Sequence, residues 1–393
     1  MEIEKAVLKE VCAEPLAIAQ KNKTGPNSCV KLENAGGKFT VYGSNGSQSA
    51  AFTADAKEAG DDFSAIFPAD SLRKILESFD RLVEINLEGN TLVFREGSFV
   101  RRSRMAGYEN EDFFFPSEKS SESFTLSAPD LSALFNGADA NVCARESNTA
   151  GSFVRFFCDS DALRIDATDR RVVLCRDLPR PSAACPKFDA FLPPEAVRFL
   201  RSVDSDAEIS FPARAGKPLP KPKGYVEGVD DPLPPPPTEH LLVVRTPKSA
   251  YFSTLGDGLV PMACRKALLP ASDIFSARVY DALELFRKFA QYDAVKIEWG
   301  GDLATEVKLS AKTRSGEDES SILFDAGEVF GSGEYYLNPR FAVSVLQGFS
   351  DKDNAAFKIA SAPRSGSGGE FLALQIHSGI SRAVIAGINP KFM

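Results

Sequence analysis

The sequence predicts an α+β fold built from three copies of one domain. Three observations carry that expectation. First, residues 67–79, 192–203 and 337–349 repeat one pattern: an apolar residue, a Pro near a helix start, then apolar residues at helical spacing. Second, each copy is followed by a strand pattern, at 83–87, 207–211 and 356–359, and then by further strands. Third, the copies begin at 67, 192 and 337, intervals of 125 and 145, and the longer interval holds a 21-residue Pro-rich tract, 217–237. Without that tract the intervals become nearly equal. A period this long excludes a solenoid and makes the repeated unit a whole domain.

Each copy then reads as helix, strands, helix, strands. In the first, apolar Val7, Val11 and Ile18 mark an amphipathic helix over 4–21, which Pro15 is expected to kink or divide. Strands are expected at 28–32 and 38–42 around a Gly36-Gly37 turn. A hairpin about Gly89 should join 83–87 to 91–94. In the second copy, Ser127 or Asp130 can cap a short helix at 128–136. Strands follow at 152–158, 163–167 and 171–175, then a linker at 180–187 and a helix at 194–203. In the third, a helix at 277–292 precedes strands at 295–299 and 307–311, a charged turn at 315–320, and a last strand from 382.

Composition sets outer limits. The 393 residues suit three domains of ordinary size, and 43% hydrophobic content marks a globular chain. No apolar run is long enough for a membrane span, and the charged start MEIEKAVLKE lacks a signal-peptide core. Seven scattered cysteines without a Cys-x-x-Cys pair point to free thiols in a reducing cytoplasm. With only His240 and His377, neither a metal site nor a His-based catalytic group is expected. His377 is expected on a sheet surface. No phosphate-cradling loop, dinucleotide fingerprint or nucleophile elbow occurs. Asp166 and Asp169 lie beside Arg170 and Arg171, and local ion pairing is expected there rather than acid–base chemistry. No cofactor and no enzymatic activity are expected. The net charge of −8 excludes a simple nucleic-acid coat. Basic residues nevertheless recur on the helices: Lys21 and Lys23, Arg73, Arg198 and Arg340.

Residues 162–175 (ALRIDATDRRVVLC) resemble the second domain of the bacterial DNA polymerase III β sliding clamps, which read Leu-Arg-x-Val-Ala-Thr-Asp-Gly-His-Arg-Leu-Ala. Arg102-Ser103-Arg104-Met105, leading to Asp112-Phe113 and Pro116, resembles the end of that family's first domain. Asp257-Gly258-Leu259-Val260-Pro261, then Leu268-Leu269-Pro270, resembles its passage from domain two to three. All three fall in order at boundaries set by the repeat. The chain departs from the family at the missing Gly after Asp169, at Arg170 in place of His, and in its ending, Ala386-Gly387-Ile388-Asn389.

The resemblance implies three DNA-clamp domains, 1–118, 119–262 and 263–393, each with two helices packed on antiparallel sheets. The chain would form half of a ring, closed by a head-to-tail homodimer around duplex DNA. It implies a non-catalytic processivity factor whose partners are duplex DNA, a replicative polymerase and a clamp loader. The family's helices line its hole, so the basic residues that recur on the helices here, Lys21, Lys23, Arg73, Arg198 and Arg340, are expected to face DNA. The partner-peptide pocket is Thr168, Arg171, Val172, Pro261, Val384 and Ile388, and the dimer contact lies near Ile75, Met105 and Phe286. The alternative is a β-rich, clamp-like scaffold or ligand-binding protein without a DNA role. Basic faces on all six helices would favour the first, and acidic or apolar faces the second.

Overall fold

The computed structural model describes residues 1–19, 25–117, 122–141, 152–182, 185–215, 238–256, 264–301, 303–313, 318–326, 328–363 and 370–388. Six helices lie among them: α1 (Lys5–Ala19), α2 (Ala69–Glu77), α3 (Ala128–Phe135), α4 (Pro194–Ser202), α5 (Val279–Lys288) and α6 (Pro339–Leu346). They pack as the pairs α1 with α2, α3 with α4, and α5 with α6. Among the described residues no helix is long and apolar enough to cross a membrane. The chain divides into two compact units, Met1–Thr125 with Ser205–Leu255, and Leu126–Asp204 with Gly256–Met393.

In the first unit a sheet of Glu2–Glu4, Leu82–Glu88, Thr91–Glu96 and Phe99–Arg104 lies beside a larger one. The larger runs Phe63–Pro68, Cys29–Ala35, Lys38–Ser44, Gln48–Asp55, Ser249–Thr254, Thr238–Arg245, Ala207–Ser210, Ser123–Leu126. Leu8, Val11, Cys12 and Leu16 of α1 and Leu72, Ile75 and Leu76 of α2 share one core with Leu32, Phe39, Val41, Ile85 and Phe94 from the strands. Pro15 does not divide α1. Its backbone instead comes so close to the strand at Gly43 that a Cβ there would lie 2.2 Å from the Pro15 carbonyl oxygen. Gly43 is therefore a packing requirement.

The second unit has an eight-stranded sheet: Phe188–Leu192, Val154–Cys158, Ala162–Thr168, Val172–Pro179, Ser381–Ala386, Glu370–Ser378, Asn354–Pro363, Ser272–Arg278. A four-stranded sheet runs Glu319–Asp325, Leu303–Lys312, Val295–Gly300, Gly333–Leu337. Ser127 caps α3, its side chain accepting the Asp130 N–H, and Asn338 caps α6 by accepting the Arg340 N–H. Arg176 is fully buried without a carboxylate. Its guanidinium donates to Leu134 O at 2.7 Å, Gly348 O at 2.6 Å and Ser381 Oγ at 2.9 Å. Burial lowers its pKa to about 10, so it stays charged at neutral pH. Both carbonyls lie at the C-terminal ends of helices, where the backbone presents unpaired oxygens and partial negative charge.

The strand pairs Ser249–Thr254 with Gln48–Asp55 and Val172–Pro179 with Ser381–Ala386 join residues from different expected domains. Several strands were not expected from the sequence. Gln48–Asp55, Phe63–Pro68, Glu319–Asp325 and Gly333–Leu337 are among them. Phe99–Arg104 carries three arginines on an outer strand of its sheet, where charge is tolerated and hides the strand pattern. Phe188–Leu192 follows directly on the expected linker. The helix expected at 277–292 is shorter: residues 277 and 278 end a strand, and the helix closes at Lys288 with turns after it. The Pro-rich tract lies outside the described residues. Its flanks are paired strands, with Ala215 opposite Thr238.

Candidate functional site

The hairpin joining Ala162–Thr168 to Val172–Pro179 is built from short polar side chains that bind backbone. Thr168 Oγ1 donates to Val172 O at 2.7 Å and accepts the Arg170 N–H at 2.9 Å. Asp169 Oδ1 accepts the N–H groups of Arg171 and Val172 at 2.9 and 2.7 Å. This turn forces φ of +72° on Arg170, the one non-glycine with positive φ among the described residues. Arg170 therefore holds a left-handed conformation that disfavours any Cβ by about 1–2 kcal/mol.

Residues directly opposite in a sheet share a face. One row runs Thr168, Val173, Val384, Gln375, and the next runs Asp166, Cys175, Arg382, His377. Val172 lies on the other face with Leu174 and Arg176, opposite Ile385 and fully buried. Val172, expected beside Thr168 and Val384, thus lies on the opposite face, and Val173 stands beside them instead, because a one-residue shift along a strand reverses the face. A short 3₁₀ turn, Cys264–Ala267, and the residues after it run over this face: Gln375 Nε2 donates to Leu269 O at 2.8 Å. Thr168 and Val384 are buried, whereas Val173 and Ala386 are half-buried. Arg171 stands at the turn, its guanidinium 5.8 Å from the Phe341 ring centroid. Its carbonyl accepts the Ala386 N–H at 3.0 Å. Half-buried Ile388 lies past the last strand, its N–H donating to Tyr336 O at 2.8 Å. Pro261 lies outside the described residues.

The same face carries an ionic cluster. Asp166 pairs with Arg265 at 2.8 Å, not with Arg170 or Arg171 as expected, and Arg265 also reaches Asp177 at 2.8 Å. Arg265 lies over the Phe157 ring at 5.3 Å, and Arg155 pairs with Asp189 at 2.7 Å. Burial pushes the Asp166 carboxyl up, and Arg265 opposes that shift. Burial, with Asp166 nearby, holds the Cys175 thiol protonated. Asp166 is thus committed to an ion pair and Asp169 to the turn, leaving no acid–base couple. His377 is half-buried on the sheet and 3.0 Å from Gln375 Oε1; burial, then Lys358 and Arg382, lower its pKa. No group of three or more His, Cys, Asp or Glu among the described residues could hold a metal ion.

Arg73 and Arg198 are exposed at the fifth positions of α2 and α4, but Arg340 is exposed at the second position of α6. Position five of α6 is Val343. The three arginines therefore share equivalent helices without sharing an equivalent site. Arg198 pairs with Glu195 at 3.5 Å, and Arg340 Nε donates to Ala290 O at 2.8 Å. Lys21 and Lys23 lie outside the described residues. Exposed cations also occur on α1 (Lys9) and α5 (Arg287, Lys288), but α3 exposes Pro129, Ser132 and Ala133. Ile75 and Phe286 are 2% and 1% exposed. Their side chains fill the interior of their own units, as apolar helix positions facing a sheet must. They cannot present themselves to a second chain, which corrects that expectation. Met105 is half-buried against the first unit's core.

The strained turn predicts an order of stabilities. Arg170→Gly should unfold within about 1 kcal/mol of the parent, and Arg170→Val should lose more than about 1 kcal/mol, because β-branching is worst tolerated at positive φ. Denaturant melts of the three chains check this; equal stabilities would show that the turn is not strained.

No family model matches the chain, and no curated protein matches it in sequence. Solved structures do. A Pseudomonas aeruginosa sliding clamp, DNA polymerase III subunit β, bound to griselimycin aligns over 99% of both chains at 16% identity, with a TM-score of 0.77. The Streptococcus pneumoniae DNA polymerase III β chain aligns over 99% of both at 17% identity, TM-score 0.76. A Helicobacter pylori β clamp bound to a DNA ligase peptide aligns over 99% of both at 13% identity, TM-score 0.73. Three helix pairs on antiparallel sheets, matched over essentially the whole length, give this chain the fold of the DNA polymerase III β sliding clamps.

Proposed function

We propose that the protein is a DNA sliding clamp, a non-catalytic ring that encircles duplex DNA and tethers a replicative polymerase and other partners. The observation that carries this reading is the whole-length fold match. The clamp-domain boundaries at 118/119 and 262/263 belong to the proposal. So does a cytoplasmic setting, supported by the six described cysteines, all free thiols. Loose contacts between helix cations and phosphates give binding that is independent of sequence and sensitive to salt. The tether makes polymerase rebinding intramolecular. The second reading, a clamp-like scaffold without a DNA role, is favoured by one observation, the uncharged outward face of α3.

Retention on DNA separates the two. A closed ring should stay on a nicked circular plasmid in a gel-filtration run and slide off the same plasmid once linearised, whether loaded spontaneously or by a clamp loader. Equal retention, or none on either, would contradict encirclement.

The ring we propose is a head-to-tail homodimer. Support comes from two strands, each ending its sheet on one side. Phe99–Arg104 exposes Phe99, Arg102 and Arg104, and Glu319–Asp325 exposes Glu319, Leu323 and Asp325. Each edge offers unpaired backbone groups, an apolar side chain and charge of one sign, a match for strand addition between copies. The chain should sediment at twice its mass at micromolar concentration. Arg102→Glu with Arg104→Glu should weaken the dimer at least tenfold, and Glu319→Arg with Asp325→Arg in the same chain should restore part of it. A dimer indifferent to both changes would place the contact elsewhere.

For partners we propose a short peptide seated on the sheet face at Thr168, Val173, Val384 and Ala386, with Arg171 and Ile388 at its end. Apolar anchoring beside a few polar groups suits such a ligand. Val173→Asp should cost more than about 1 kcal/mol of peptide affinity, measured by calorimetry with a polymerase C-terminal peptide. Its half-buried position should leave the melting temperature nearly unchanged. A folded variant with undiminished affinity would reject this face.

A further inference from the structure

We propose that a groove at the start of α1 holds phosphate groups of a DNA strand, a site that rests on the DNA role proposed above. The groove encloses about 570 Å³ and gathers Lys5, Lys9, Lys57 and Arg81 from three separate segments, with Glu4 and Asp80 at its rim. Four cations against two acids leave it net positive, on a chain whose overall charge is −8. The acids do little to neutralise it. Asp80 meets Lys5 at 3.6 Å, but its side chain is 92% exposed, so water and salt screen the pair. Lys9, Lys57 and Arg81 pair with no carboxylate among the described residues. Confining like charges without partners opposes folding unless an anion joins them.

The backbone under these side chains is fixed. The Lys5 N–H donates to Arg81 O at 2.6 Å, and the Lys57 N–H donates to Glu2 O at 2.8 Å. The Asp80 and Arg81 N–H groups both donate to the Glu96 carboxylate, at 2.9 and 2.6 Å. Thus the loop after α2, the segment at Lys57 and the first turns of α1 are tied together before any ligand arrives. Lys5 and Lys9 are four residues apart, so they project from one face of α1 about one turn apart. Ammonium groups act as point charges for phosphate, and a guanidinium can grip two of its oxygens. None of the four belongs to the helix cations Arg73, Arg198 and Arg340. The groove lacks an aromatic side chain to anchor a peptide, which favours a phosphate backbone over an acidic peptide.

The test uses the full chain with Lys9→Ala, Lys57→Ala and Arg81→Ala combined. All three side chains are exposed, so the melting temperature should hold. Binding to a fluorescein-labelled DNA duplex is followed by anisotropy from 50 to 200 mM salt. Three lost phosphate contacts should flatten the log–log salt slope by about 2.7. The parent should then lose about fortyfold more affinity than the variant across that range. Parent-like affinity and slope in the variant would overturn the groove and leave the clamp reading standing. Loss in this variant, with no change in an Arg73→Ala, Arg198→Ala, Arg340→Ala chain, would keep the groove and count against phosphate contacts from the exposed arginines of α2, α4 and α6. A parent that binds no DNA at 50 mM salt would overturn both. Displacement of DNA by poly-glutamate as effective as by unlabelled DNA, at equal charge, would overturn the phosphate assignment.

Discussion

A guanidinium buried without a carboxylate is the constraint on which the second unit depends. Arg176 is fully enclosed, and its charge is met only by two helix-end carbonyls and one hydroxyl. Water could not compensate a misplaced partner there, so the ends of α3 and α6 and the strand at Ser381 must arrive together. The fit around it is close. Gly137, at φ of +68°, lies so near Gly348 that a Cβ would stand 2.7 Å from the Gly348 Cα. Two chain turns therefore touch backbone to backbone beside the charge. This fixes which face of Val172–Pro179 looks toward the helices, and hence which face carries Thr168, Val173 and Val384.

The repeat was legible because it lives in short-range pattern. Each of the three repeated helix starts carries a Pro, at Pro68, Pro193 and Pro339, and each amphipathic stripe reports a buried face. The strands that join one expected domain to the next were not legible. Gln48–Asp55 (QSAAFTAD) mixes small and polar residues, and its partner Ser249–Thr254 lies some two hundred positions away. No local signal announces such a pairing. The buried Arg176 was equally silent: in sequence it reads as one more basic residue at a strand end.

The candidate site was half legible. Thr168, Arg171 and Val384 are brought to one hairpin and its neighbouring strand, since the ATDRR stretch carries its own turn chemistry. Val172 was misread because sequence gives the alternation of a strand but not its absolute face, which Arg176 sets. Arg265 was missed as the partner of Asp166. It reaches the sheet from a 3₁₀ turn ninety-nine residues further along, where spacing says nothing. Ile75 and Phe286 were misassigned for the opposite reason: apolar helix residues suit an interface and a core equally well in sequence, and here the core takes them.

Backbone hydrogen exchange on an Arg176→Met chain tests this account most directly. Removing the charge leaves two buried carbonyls without donors, at about 1–3 kcal/mol each. Protection should therefore fall together, by about 3 kcal/mol, in α3, in the turn after α6 and in the strand Ser381–Ala386, while the first unit keeps its protection. Loss confined to one of these three segments, or no loss in any, would show that Arg176 does not hold them, and the face assignment of the partner site would lose its physical basis.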